Sequence, residues 1–246
     1  MKFDEFIDTD DAIFHYTSKK IFFEYINQSM KLKLSPLEKM NDPMEYSAPY
    51  LGFYLYGKGK TDPKIKSKAQ RMLKEKKLKE WKIACFCSNA KGQTKGYLRS
   101  RMWSQYGENH YGMCLVFSKK AIEKIIDKNY KFEKVNYTEK TPIETDFYYS
   151  ELKPPLLEST LESFLNKNYA EIFFTKCKDY VDEAEYRLLK KTKEKNITYE
   201  FLDISNCLKG IITGDRFNDI YYSILDDENI VYKNCYYDPD EGKLCI

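Results

Sequence analysis

No stretch narrows the fold of this chain as far as Arg101–Ser118, RMWSQYGENHYGMCLVFS. It holds one of the two tryptophans, one of the two histidines and one of the five arginines. Met113-Cys114-Leu115-Val116-Phe117 is an apolar run of the length of a buried strand. The preceding residues, 97–106, predict a helix with Leu98, Met102 and either Trp103 or Tyr106 on one side. Between the two, Gly107-Glu108-Asn109-His110-Tyr111-Gly112 joins turn chemistry to polar side chains. Loops held between rigid elements are where binding and chemistry gather.

The rest of the chain supplies partners for this core. Ala12–Ser18 reads as a strand, and Ser18 is placed to cap a helix carrying Ile21, Phe22, Tyr25 and Ile26. Lys31–Ser35 alternates as a half-buried strand. Asn41-Asp42-Pro43 marks a turn with a helix start, Glu45 near its positive end, or else puts Asn41 or Asp42 at a ligand. From Asp62 to Glu80, Ile65, Ala69, Met72 and Leu73 share one face of an amphipathic helix. Lys82–Ser88 and Tyr130–Thr138 predict strands, Ser118–Asp127 a capped helix, and 141–174 a mostly helical stretch broken at Pro154-Pro155. In Asp182–Lys190, an extended chain puts Glu183, Glu185 and Arg187 on one face, whereas a helix makes Glu183 and Arg187 an i,i+4 pair. The β-rich run that follows favours the strand. Leu208–Thr213, Asp215–Leu225 and Asn229–Tyr237 close the chain as strand, helix and strand, with Asp215 as the helix cap. The expectation is one α+β domain over 1–246, with mixed, mostly antiparallel sheets, flanking helices, and helical insertions near 57–82 and 141–174.

Several function classes drop out. Hydrophobic content of 42% and charge of 32% fit a soluble globular chain. The apolar runs fall far short of the roughly 18 residues of a membrane span, and MKFDEFIDTDD lacks signal-peptide architecture. A cytoplasmic protein with no membrane association is expected. Seven cysteines, an odd number without CxxC spacing, and only His15 and His110 as imidazoles point to reduced core thiols. No metal site is expected. No phosphate-binding Gly-rich loop, dinucleotide fingerprint or nucleophile elbow occurs.

The net charge of +3 conceals an asymmetry: Gly57–Lys82 has eleven Lys/Arg against three Asp/Glu, and the remainder thirty against thirty-five. Lys58–Lys82 is therefore either a solvated face or a contact for a nucleic-acid or protein target. With thirty-six lysines and five arginines, each arginine is a candidate for a bidentate or stacking role that lysine cannot fill.

The ordered set HYTS, NDPMEY, CFCSN, MWSQYGENHYGMCLVF, EAEYRLL and KGIITG resembles the bacterial domain of unknown function 2971, often found near phage-defence and abortive-infection loci. The resemblance extends over essentially the whole chain. A second resemblance, to the ADP-ribosyltransferase fold, lies in the order of a strand ending His-x-Thr, a serine-ended strand, an aromatic helix and a strand bearing Glu. It implies an ADP-ribosyltransferase-like core and NAD as substrate. His15 and Thr17, with Tyr16 between them, fill the first motif, Ser88 the middle strand, and Trp103 or Tyr106 the ring stacked on nicotinamide. Glu185, or Glu183, would be the catalytic carboxylate, Arg101 or Arg187 the pyrophosphate ligand, and His110 a further cleft residue. The function so implied is NAD-dependent ADP-ribosyl transfer or NAD hydrolysis, as a defence effector or toxin. The alternative is a non-catalytic module that senses a nucleotide or a protein.

Overall fold

All six positions of Met113–Ser118 are buried, so this strand can only lie inside a sheet covered on both faces. The computed structural model describes residues 1–40, 42, 51–56, 63–139, 143–192, 198–227 and 230–246. Asn41, Pro43, Glu45 and the start of the basic segment lie outside the described residues. The central sheet has nine strands: β1 Ala12–Thr17, β2 Lys31–Pro36, β3 Trp81–Ser88, β4 Met113–Ser118, β5 Tyr130–Lys134, β6 Glu185–Lys191, β7 Glu200–Asp203, β8 Leu208–Thr213 and β9 Tyr232–Asn234. Their order is β7-β2-β3-β1-β4-β8-β9, with β6 beside β3 and β5 beyond β6. The ladders are antiparallel except β8–β9, so the sheet is mixed and mostly antiparallel, as expected for an α+β chain.

Side-chain alternation divides the core. Ile13, Leu115, Phe117 and Leu188 meet Phe22 and Ile26 of the helical segment 19–29 on one face. Phe14, Tyr16, Cys114 and Val116 meet Tyr97 and Trp103 on the other. A third cluster seats Ala69 and Leu73 of helix Pro63–Glu80 with Leu157, Leu161 and Phe164 of helix Leu156–Lys167 against Trp81 and Leu189. A fully buried Leu or Phe contributes roughly 1.5–3 kcal/mol. The lysine-rich helix is thus held by its few apolar residues, while Lys64, Lys68, Arg71 and Lys74 stay exposed.

One edge of β3 pairs with β6 along its whole length, from Glu185 opposite Cys87 to Lys191 opposite Trp81. The other edge is divided. β2 takes its start, with Ser35 opposite Ile83 and Pro36 opposite Lys82, and β1 takes its end, with Phe14 opposite Cys87 and Ile13 opposite Ser88. The sheet therefore forks beside residues 84–86.

Four local expectations change. Ile143–Tyr148 is a strand, paired in parallel with Leu51–Tyr56, so the stretch expected to be helical becomes so only after it, in a 3-10 turn Tyr149–Leu152 and a helix from Leu156. Tyr130–Thr138 breaks into β5 and a short strand, Asn136–Thr138. Glu183 ends a 3-10 turn, Lys178–Glu183, and Ala184 at φ 41° swings the chain into β6. Asp215 caps no helix: its Oδ1 accepts from Tyr237 N at 3.0 Å, and Asn218 takes the capping role at Ile220 N.

The loop after helix Ser100–Gln105 carries three successive left-handed residues, Glu108, Asn109 and His110, at φ 54°, 52° and 70°. That conformation costs an L-residue about 1–2 kcal/mol. Backbone bonds offset it: Asn109 N donates to Ser104 O, Gly112 N to Gly107 O, Gly214 N to Gly112 O and Arg216 N to His110 O. The approach leaves no room for side chains, since a Cβ on Gly214 would stand 2.2 Å from His110 O and one on Gly112 2.4 Å from Thr17 O. Gly214→Ala is expected to lower the unfolding free energy by about 1–3 kcal/mol, read as a lower urea midpoint; an unchanged midpoint contradicts this packing.

Candidate functional site

The fork in the sheet opens a cleft of about 1330 Å³ whose lining includes His15, Thr17, Cys85, Tyr106, Glu183 and Glu185. His15 stands on β1 where that strand parts from β3. Its Nδ1 lies 2.8 Å from Cys85 O. A carbonyl only accepts, so this bond puts the ring proton on Nδ1 and leaves Nε2 as the nitrogen for the cleft. Burial lowers the His15 pKa from 6.5, against the opposing pull of the Cys85 hydrogen bond, so the imidazole is neutral at pH 7. Glu108 secures the turn after β1, its Oε2 accepting from Lys19 N at 3.1 Å and Lys19 Nζ at 3.2 Å.

The opposite wall holds a chain of alternating charge, exposed at Arg101 and Asp182 and buried from Glu183 to Arg187. Arg101 donates to Asp182 Oδ1 at 3.0 Å and Glu183 Oε1 at 2.8 Å. Lys176 Nζ lies 2.7 Å from Glu183 Oε2 and 3.2 Å from Glu185 Oε2. Arg187 grips Glu185 with both Nε, at 2.7 Å, and Nη2, at 2.9 Å, and its Nη1 donates to Phe173 O. Lys176, Glu183, Glu185 and Arg187 are each at most 4% exposed. Desolvating such groups costs several kcal/mol per ion, which only close pairing offsets. Burial alone would raise the Glu185 pKa; Arg187, with Lys176 behind it, instead holds it down at about 2. Glu185 is an ionised carboxylate at any physiological pH.

The expected site residues divide between cleft and scaffold. His15, Tyr16, Thr17, Tyr106, Glu183 and Glu185 lie along the cleft, although the Tyr16 ring packs edge-on against Trp103 and its hydroxyl donates to Gly96 O at 2.7 Å. Trp103 is fully buried and donates to Tyr97 O, so it has no face for a ligand ring, and Tyr106 is the aromatic at the cleft. Ser88 is turned away, its Oγ donating to Ala184 O at 2.7 Å. His110 stacks on Trp103 outside the cleft, its pKa lowered by burial and then by Arg216. Arg101 and Arg187 commit their guanidinium groups to Asp182, Glu183 and Glu185 rather than to the cleft space. Of the turn at 41–42, Asp42 is buried and lines the cleft.

Other cleft residues escaped the sequence reading. Lys176 joins the two glutamates, and its signal was a lysine embedded in the apolar run Ile172-Phe173-Phe174-Thr175-Lys176-Cys177. Cys85 also lines the cleft, where its backbone serves His15 and its thiol contributes to holding the Glu185 charge. The cysteines are all free thiols, with Cys87, Cys114, Cys207 and Cys235 buried. Among the described residues no helix is long and apolar enough to cross a membrane.

The architecture is thus an α+β fold with a cleft where its main sheet divides. Residues 102–188 match the model of a family described as "Protein of unknown function (DUF2971)", which supports the family resemblance read from the motifs. The matched segment contains the left-handed loop, Lys176 and the Glu183-Glu185-Arg187 group. No curated protein and no solved structure matches the chain.

Glu185→Gln strips Arg187 and Lys176 of a shared buried counter-charge and is expected to cost about 3–5 kcal/mol at pH 7. Because the folded-state pKa lies below the ordinary 4.5, the wild-type contribution is full above that value and is lost as pH falls towards about 2. Urea unfolding of both proteins from pH 7 to pH 3 checks this: the gap between them should narrow below pH 4.5, and a pH-independent gap refutes the assignment.

Proposed function

We propose that the cleft binds NAD and cleaves its nicotinamide–ribose bond, transferring ADP-ribose to an acceptor or to water. The observation that carries this reading is convergence: His15, Tyr106 and Glu185, far apart in sequence, line one cleft in the order the ADP-ribosyltransferase resemblance assigns. Its volume exceeds the roughly 300–1,000 Å³ of ordinary small-molecule pockets, leaving room for an extended dinucleotide.

The chemistry suits the electrostatics. Nicotinamide leaves a pyridinium as a neutral molecule, so the reaction needs no proton donor at the leaving group. Both electrons of the bond go to the departing ring, and the ribose carbon becomes oxocarbenium-like, the charge type that carboxylates stabilise in glycosidases. Glu185, ionised and fixed by Arg187, offers that negative charge without reorganising. Tyr106 offers an aromatic ring for the nicotinamide, and the His15 Nε2 lone pair accepts from a ribose hydroxyl. As a defence effector or toxin the protein would act through this consumption of NAD.

One observation favours a second reading, a nucleotide sensor that breaks no bond: the Glu185 charge is already countered by Arg187 and Lys176. Nicotinamide release from NAD separates the two. Wild-type protein should release it, and Glu185→Gln, confirmed as folded by circular dichroism, should lose at least about 100-fold in kcat, the scale of removing one electrostatic stabiliser. Wild-type rates in both Glu183→Gln and Glu185→Gln would sink the mechanism. A rise in Tm with NAD but no nicotinamide release establishes the sensor.

A further inference from the structure

The cleft has a second wall, far from the glutamates in character, that NAD cleavage leaves unused. On β2 the buried Leu32 and Leu34 alternate with Lys31 and Lys33, which are exposed and line the cleft. Lys39 lines it just beyond that strand. In register with Lys33, on the neighbouring β7, stands Phe201, 53% exposed in spite of its size. Tyr199 has two of these lysines over its ring, Lys33 Nζ at 4.6 Å and Lys39 Nζ at 4.9 Å. Tyr25, on the helical segment 19–29, also lines the cleft and is 61% exposed.

Each feature alone is ordinary; their combination is not. Large aromatic rings left in water beside lysines, within a concave surface, give up burial worth roughly 1.5–3 kcal/mol apiece. Side chains two apart on a strand repeat at about 6.6 Å, so Lys31 and Lys33 form a ladder of like charge along the wall. A single phosphate meets one rung, whereas a chain of phosphates meets several. Bases present flat faces to exposed rings whatever their sequence. Glu24 and Asp42 also line the cleft, which keeps the attraction local to the β2 wall and makes stacking a necessary part of the binding.

We propose that this wall binds single-stranded nucleic acid, with phosphates on Lys31, Lys33 and Lys39 and bases stacked on Phe201 and Tyr25. The strand then runs past the glutamate end of the same cleft, where it is placed as the macromolecular partner of whatever that end binds. The site differs from the basic helix Pro63–Glu80, whose exposed face carries lysines and Arg71 but no aromatic ring.

Fluorescence anisotropy with labelled oligo-dT and oligo-rU, and with a duplex of the same length, tests this on the full chain without NAD. Its outcome is therefore independent of glycosidic cleavage. The single strands should bind at least 10-fold more tightly than the duplex. Three phosphate contacts predict a slope of log K against log salt of roughly −2 for a single strand. Lys33→Glu/Lys39→Glu should weaken binding at least 10-fold, and Phe201→Ala at least 5-fold, the lower bound for one lost base–ring stack. Phe201 is exposed, so its replacement leaves the core intact. Equal affinity for duplex, no binding at low salt, or wild-type affinity in Phe201→Ala would each overturn the proposal. So would loss of binding in Lys68→Glu/Arg71→Glu/Lys74→Glu with retention in the Lys33/Lys39 variant, which would assign the contact to the helix.

Discussion

The bond from the His15 ring to the Cys85 carbonyl stands at the place where the sheet would otherwise fail. A backbone carbonyl taken from water needs a donor, and an unpaired one costs energy comparable to a lost hydrogen bond. β3 gives one edge to β6 and shares the other between β1 and β2, which leave it near residues 84–86. A side-chain donor reaching 2.8 Å across the gap replaces the ladder there without closing it. An imidazole suits the position because it is short, rigid and still carries a second nitrogen for the cleft. The fork and the cleft are therefore consequences of one arrangement, and the burial of His15 within it keeps the ring neutral.

The charged wall answers a different requirement. Glu183 and Glu185 sit on either side of a left-handed Ala184, and two carboxylates so close together would repel each other out of the interior. Lys176 between them, with Arg101 and Arg187 at the ends, turns repulsion into alternation. Buried pairs of this kind rarely stabilise more than well-packed apolar residues would. What they supply here is position: a bidentate arginine fixes a carboxylate in rotation as well as in distance. A Glu185 rotamer locked in the ionised state is suited to a task at the cleft and unnecessary for holding a sheet together.

The elements were legible where one local signal dominated. The apolar run Met113–Phe117, the alternation of Lys31–Ser35 and the Ser18 cap each carry their own pattern, and each element formed. The Glu183-x-Glu185-x-Arg187 group was read as one face of a strand, and the three side chains join one charge network, Glu183 through Lys176. They do so because a 3-10 turn and a left-handed alanine deliver Glu183, a geometry that no period-2 pattern contains. Trp103 misled for a related reason: rarity marks a residue as important without saying whether it packs or binds. Its ring is enclosed by Tyr16 and His110. Lys176 showed only as a lysine in an apolar run, because its partners are reached through turns, and Lys31 and Lys33 read as the ordinary outer face of a half-buried strand. Only the tertiary fold brings that face into the lining of the cleft.

The aromatic helix and its loop reach the cleft through backbone more than through chemistry. Gly112 lies against Thr17 O so closely that a single methyl would part them, and Glu108 secures the first amide after β1. Left-handed backbone at Glu108 and Asn109 aims the first of these side chains at Lys19, and the same turn brings His110 O to Arg216 N. A shift of this loop would therefore move the end of β1 with it, and with β1 the ring of His15. That coupling explains why so much turn chemistry is spent at Gly107–Gly112 although His110 itself never enters the cleft. The strain of three left-handed residues is tolerated because the loop braces the end of β1, which β3 has left and only β4 still pairs.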